Sequence, residues 1–190
     1  MTDLKPWFPI RTARLLLREF TEDDFDAVHE YAADPKVARF MEWGPNSEDE
    51  TRAYMARTFA AQAQWPRDAV NLAAEHLGER KLIGSIRLAV TDEANRTGDI
   101  GYSFHSGYWR RGLCTEAARA MLAVAFGTLG LHRVFAECDI ENRGSYGVME
   151  KLGMRREGHI RQGKLVKGEW RDRFVYAILA DEFERARAGV

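Results

Sequence analysis

The chain has 190 residues, 45% of them hydrophobic and 30% charged, with a formal net charge of -1, the balance of a folded globular protein rather than a disordered one. Its 21.7 kDa suits a single domain over residues 1–190, near-neutral charge favours neither nucleic acid nor an anionic membrane, and no apolar run nears the roughly 20 residues of a spanning helix. Met1 to Ile10 carries acid and proline without an apolar stretch, and Cys114 and Cys138 form neither a disulfide framework nor a metal-ligand spacing, so a cytoplasmic protein is expected.

Residues 14–18, with Leu15, Leu16 and Leu17 between arginines, predict a first strand. Thr21 then reads as an N-cap, and the acids Glu22, Asp23 and Asp24 suit the positive end of a helix reaching about residue 33, before Pro35. Ser47 is a second N-cap, followed by Glu48, Asp49 and Glu50, with the helix stopped at Trp65-Pro66. Residues 70–75, 82–90 and 99–104 predict three strands separated by turn residues at Gly78 and 95–98. A glycine-containing segment, 107–112, opens a helix over 115–129, whose Ala117, Ala120, Met121, Val124 and Ala125 recur at helical spacing. A strand over 132–139, a helix over 144–152 and strands over 154–161 and 173–179 complete a βααβββαβαββ order. No repeat or linker divides it, and the class is mixed α/β.

Two stretches carry chemistry. In the first, Asp99-Ile-Gly-Tyr-Ser-Phe-His-Ser-Gly-Tyr-Trp-Arg-Arg-Gly-Leu-Cys-Thr-Glu-Ala, a strand runs through a small loop directly into a helix. Free N–H groups at a helix start make an anion site, Arg110 and Arg111 add charge, and Gly112 permits close backbone approach. Either a pyrophosphate-bearing cofactor docks here or the loop is a tight turn with two solvated arginines. P-loop and dinucleotide fingerprints are absent. Gly101-Tyr-Ser-Phe-His105 fails as a hydrolase elbow because His105 stands where a glycine is needed. The five histidines are scattered, so no metal is assigned. In the second stretch, Asn142 to Met154, Asn142 follows a strand and can cap a helix with Ser145 one turn in and Gly153 at its end.

Together these stretches resemble the GNAT superfamily of acetyl-CoA-dependent N-acetyltransferases, and within it the RimJ/RimL-like branch of ribosomal-protein N-terminal acetyltransferases. Thr12-Ala-Arg-Leu-Leu-Leu-Arg is similar to the family's opening strand, and Leu82-Ile-Gly-Ser-Ile-Arg-Leu and Asp99-Ile-Gly-Tyr-Ser to two central strands. Tyr108-Trp-Arg-Arg-Gly-Leu-Cys-Thr-Glu-Ala resembles the acyl-CoA loop, and Asn142 to Met154 and Gly168-Glu-Trp-Arg-Asp172 the late signatures. The resemblance implies a mostly antiparallel twisted sheet of about seven strands flanked by about four helices. The loop departs from [RQ]-x-x-G-x-[GA]: Trp109 holds the first position, Arg110 replaces a usual glycine, and Cys114 replaces a final glycine or alanine. Because backbone N–H donation survives such changes, binding is expected to persist. Cys114 is read as a small-residue replacement in preference to a reactive thiol.

The resemblance further implies direct attack of an amine on the acetyl thioester, with no metal. Trp109, Arg110, Arg111, Gly112, Leu113, Cys114 and Thr115 would form the pyrophosphate loop. The Phe104 N–H would face the thioester oxygen and pair with the pantetheine arm, and Asn142 would contact the pantetheine. A tyrosine common in the family falls here at Met149, which cannot donate a proton, so Ser145 is the expected general acid, serving both cofactor and catalysis. Tyr146 lies about 100° round the helix and should face elsewhere. The base is open between Asp99 and Glu116. An α-amine with pKa about 7.7–8.0 is roughly a quarter neutral near pH 7.4, whereas a lysine-like amine is on the order of 0.1% neutral, so an N-terminal acceptor needs less help.

The acids between Glu19 and Glu50 either attract a cationic acceptor or merely start helices. The basic stretch from Lys151 to Arg173 reads as a solvated face. The expected acceptor is a protein N-terminal α-amine. The alternatives are a small amine (aminoglycoside, polyamine or amino acid) or an idle CoA-binding protein. Neither nucleic acid nor membrane is an expected partner. Homodimers are common in this branch.

Overall fold

The computed structural model describes residues 8–64 and 66–188. Trp65, one of the two residues expected to stop the second long helix, and residues 1–7 of the N-terminal reading lie outside them. Among the described residues eight strands form one sheet, ordered β1-β2-β3-β4-β5-β6-β8-β7. They are β1 (Ile10–Arg11), β2 (Leu15–Arg18), β3 (Ala69–His76), β4 (Lys81–Asp92), β5 (Thr97–Phe104), β6 (Arg133–Asp139), β7 (Arg155–Val166) and β8 (Glu169–Leu179). The helices are α1 (Phe25–Ala32), α2 (Pro35–Ala38), α3 (Glu48–Ala63), α4 (Leu113–Gly127), α5 (Arg143–Lys151) and α6 (Ala180–Ala188). The expected class holds, with eight strands and six helices rather than about seven and four.

Three elements were missed for identifiable reasons. Pro35 reads as a stop, yet it stands at the start of α2, where Asp34 caps the Lys36 N–H at 2.8 Å and proline's missing donor costs nothing. The two-residue β1 is too short to leave a pattern. The α6 segment is polar apart from Phe183, which is completely buried. The expected break between strands at 161 and 173 is instead a long hairpin. Lys167 (φ 51°) and Gly168 (φ 85°) form its turn, the paired positive φ values that suit a two-residue hairpin.

All neighbouring pairs are antiparallel except β5 and β6, which are joined by the crossover helix α4, as parallel strands require. Leu113, Ala117, Ala118, Met121, Leu122 and Ala125 of α4 are buried against Ile83, Ile86, Leu88 and Ile100. Small alanines let the helix approach the sheet closely. The other face is covered by α1 and α3, through Val28, Tyr31 and Met55. Ser47 caps α3 with a reciprocal box: its Oγ accepts from the Glu50 N–H at 3.3 Å, and its own N–H donates to Glu50 at 2.7 Å. The other expected N-cap, Thr21, also holds its position, but the turn it starts is not α-helical. Residues Glu22–Asp24 form a 3-10 turn before α1, and buried Asp24 accepts from the Thr21 N–H and from both terminal nitrogens of Arg18.

Candidate active site

The parallel register of β5 and β6 ends at Asp99↔Phe135. Beyond it β6 stays paired with β8 to Asp139 and β5 stays paired with β4 to Phe104, so the two strands part and leave a wedge in the sheet. The ladder sets what faces this wedge. The His105 N–H donates to the Ile83 carbonyl at 2.8 Å, which gives odd-numbered residues of β5 to β4 and turns the main-chain groups of Tyr102 and Phe104 toward the wedge. The Phe104 carbonyl accepts from the Trp109 indole at 2.7 Å. Its N–H points into the wedge as well.

At the wedge mouth the chain turns into α4. Arg110 has φ 60° and Gly112 has φ 77°; no side chain caps α4, and its first intrahelical bond runs from the Glu116 N–H to the Gly112 carbonyl at 3.0 Å. The N–H groups of Leu113, Cys114 and Thr115 therefore have no acceptor among the described residues. Such orphan donors at the positive end of a 15-residue helix are what a phosphate group requires, so the residues present fit the phosphates of an acyl-CoA. Arg110 is exposed, and its left-handed backbone explains why a glycine is usual there. Arg111 packs over the Tyr108 ring at 5.0 Å.

Each face of the wedge carries different side chains. On the α5 face, the Tyr102 hydroxyl donates to the Ser145 carbonyl at 3.0 Å, and Ser145 Oγ lies 3.4 Å from Tyr102 Oη and beside the Cys138 thiol. Asn142 accepts from the Ser145 N–H at 3.1 Å and so caps α5. Burial, aided by the neighbouring Cys114, raises the Tyr102 phenol, which stays protonated and able to donate. Burial likewise raises the Cys114 thiol, consistent with a small inert replacement. Tyr146 does face elsewhere, stacking on Tyr176 at 6.5 Å and 4°. It lines a groove with Phe174, Glu150 and Arg156 that gathers none of the expected residues. Met149 is buried core.

The opposite face carries α3, since Asn71 on β3 donates to Tyr54 at 2.8 Å and Arg87 opposite it reaches Asp99 at 2.6 Å. By strand alternation Glu137 shares this face with Asp99. Both carboxylates anticipated as a base are engaged, Asp99 through Oδ2 alone. Asp99 is held by Arg87. Glu116 accepts from the Thr12 hydroxyl at 2.7 Å, the Arg14 N–H at 2.8 Å and Arg14 Nε at 2.7 Å, which makes it structural. Glu137, which sequence reasoning missed, is 37% exposed, and Arg173 approaches it at 3.9 Å. Arg173 Nε and Asp99 Oδ1 are buried without a partner among the described residues, as expected of groups that complete their bonding with a ligand. Only the β5–β6–β8 register reveals that Glu137 lies here.

The acids between Glu19 and Glu50 prove largely structural. Asp24 pairs with Arg18, Glu30 with Lys81, Glu42 with Lys164, and Glu48 and Asp49 with Arg52. The basic stretch is similarly paired, Arg171 with Asp139 and Arg155 with Glu182. Among the described residues no group of His, Cys, Asp or Glu could hold a metal, and no helix is long and apolar enough to cross a membrane.

The sequence matches the acetyltransferase (GNAT) domain model over residues 14–155. An uncharacterized N-acetyltransferase of Bacillus subtilis (strain 168), YnaD, is 37% identical over 174 residues, covering 92% of this chain and 98% of that protein. The [ribosomal protein uS5]-alanine N-acetyltransferase of Escherichia coli (strain K12) is 28% identical over 88 residues, 46% of this chain and 45% of that enzyme. A GNAT-family acetyltransferase from Bacillus anthracis superposes with a TM-score of 0.82 at 36% identity, covering 92% of this chain and 99% of that one. A strand wedge ending at an uncapped helix start and these likenesses lead to one conclusion: the chain belongs to the GNAT family, whose members use acetyl-CoA, and is an N-acetyltransferase.

Proposed function

We propose that this single-domain enzyme acetylates a protein N-terminal α-amine. The observation that carries the transfer itself is the wedge between β5 and β6, with uncapped α4 at its mouth. The likeness to a ribosomal-protein alanine acetyltransferase favours an α-amine acceptor.

Acetyl-CoA supplies an acetyl thioester that an amine can attack directly. Arg111 and Gly112, with the N–H groups of Leu113, Cys114 and Thr115, hold its phosphates, while Trp109 fixes the Phe104 carbonyl and leaves the Phe104 N–H for the thioester oxygen. Arg110 adds positive charge at the loop, and the Asn142 amide faces the pantetheine. Ser145, whose carbonyl accepts from the protonated Tyr102 phenol, gives a proton to the departing sulfur. Glu137, on the opposite face, accepts the proton of the incoming amine directly or through water. Acid and base thus stand on opposite faces of one opening.

The test is acetyl-CoA-dependent mass gain on two pools, free-N-terminus peptides and small amines. One acetyl on peptide α-amines is the expected result. Gain only on small amines would replace the acceptor class while keeping the reaction, and silence in both with acetyl-CoA bound would favour an idle binding protein.

A further inference from the structure

Arg14 stands at the start of β2, about 100 residues away from the phosphate loop in sequence, yet its guanidinium ties three separate pieces of chain together. Its Nε donates to Glu116 Oε2 at 2.7 Å and its main-chain N–H to Glu116 Oε1 at 2.8 Å, while Nη1 donates to the Arg111 carbonyl at 3.0 Å. Nη2 lies 3.5 Å from where a Cβ on Gly112 would stand. Thr12 adds a hydroxyl donor to the same carboxylate at 2.7 Å. Glu116 is the fourth residue of α4, so its side chain leans back toward the helix start, where a bare carboxylate would repel an anion.

Two effects follow from this arrangement. Arg14 neutralises the Glu116 charge beside the helix start. It also holds the Arg111 carbonyl, and in a planar trans peptide the following N–H points the opposite way. Tying that carbonyl to Arg14 therefore aims the Gly112 N–H away from Arg14. The main-chain direction of a loop with two left-handed residues, Arg110 and Gly112, on either side of Arg111, is thereby set from outside the loop.

We propose that Arg14 is a positioning residue for cofactor phosphate, oriented by Glu116, which keeps the Arg111–Gly112 peptide turned so that its N–H and those after it face the anion. This rests on the reading of the loop as a pyrophosphate cradle. Burial alone would raise Glu116, but the bonds from Thr12 and Arg14 outweigh it and hold its carboxyl below the usual range, so the partner charge persists at neutral pH.

The experiment compares dissociation constants for acetyl-CoA and acetyl-pantetheine, which lacks the pyrophosphate, in wild type, Arg14→Lys and Glu116→Gln. Lysine keeps the charge but lacks the planar fork that reaches Glu116 and Arg111 together. Glutamine cannot accept from Arg14 Nε with its amide nitrogen. Both variants should weaken acetyl-CoA roughly tenfold, the scale of one lost charge-assisted bond, and leave acetyl-pantetheine unchanged. Equal loss for both compounds, or no loss for acetyl-CoA while the wild type still prefers it, would overturn the role of Arg14 alone. A wild type that does not distinguish the two compounds would overturn the cradle reading and this inference with it.

Discussion

Gly112 offers a direct measure of whether the start of α4 binds an anion. It is exposed, with φ 77° and ψ 2°. Asparagine and aspartate both tolerate the left-handed region better than other non-glycine residues, and among the described residues beyond its chain neighbours a new Cβ would meet Arg14 Nη2 at 3.5 Å. Gly112→Asn and Gly112→Asp should therefore carry the same backbone cost and differ by one negative charge. Two phosphate charges about 5 Å away would oppose that charge by about 1.7 kcal/mol at the dielectric of water and about 6.6 kcal/mol at an effective dielectric of 20. Exposure, and the nearness of Arg14, place the effect toward the lower figure. Aspartate should thus weaken acetyl-CoA binding about 20-fold more than asparagine, read by calorimetric titration at about 0.1 M salt. The gap should shrink at about 1 M, where the Debye length falls to about 3 Å. Equal dissociation constants for the two variants, within about twofold at low salt, would refute an anion site at this helix start.

Ser145→Ala should lower turnover more than acetyl-CoA affinity, the mark of a proton donor to the leaving sulfur; unchanged turnover with chemistry rate-limiting would remove that residue. Arg18→Ala breaks a cluster in which Asp24 is only 5% exposed, and should cost about 3–5 kcal/mol, or about 6–20 °C in Tm. Burial would raise Asp24, yet the Arg18 and Thr21 bonds bring it below its ordinary value. The stability difference between wild type and Arg18→Ala should therefore be full above about pH 5 and vanish as pH falls through the folded value; a pH-independent difference would contradict this. Burial pushes the Cys138 thiol up to about 11, leaving about 0.1% thiolate at pH 8 against about a quarter for a free thiol near 8.5. Iodoacetamide should label Cys138 some hundred-fold more slowly in the folded protein than after denaturation. Phe183→Ala should cost about 3–5 kcal/mol by emptying a buried site beside Phe126, whose ring lies 5.3 Å away; a loss under about 1 kcal/mol by denaturant titration would show that α6 adds little.

What the sequence alone determined rests on contacts within a turn or two of chain. The Ser47 box, the apolar period of α4, the apolar residues of β4 and the glycine turn into α4 are all local, and each element lies within a few residues of its expected place. The uncapped start of α4 and the Asn142 cap belong to the same class, because free N–H groups at a helix start are a property of that helix alone. Pairings made only on folding were out of reach. Glu116 is tied to Arg14 from 102 residues away. Tyr102 and Ser145 meet over 43 residues. Glu137 earns its place because the register of β6 against β5 and β8 turns it to the open face. Side-chain alternation tells which residues share a face of one strand, but a one-residue slip in pairing would reverse every assignment, and that register is set by the packing of the whole sheet.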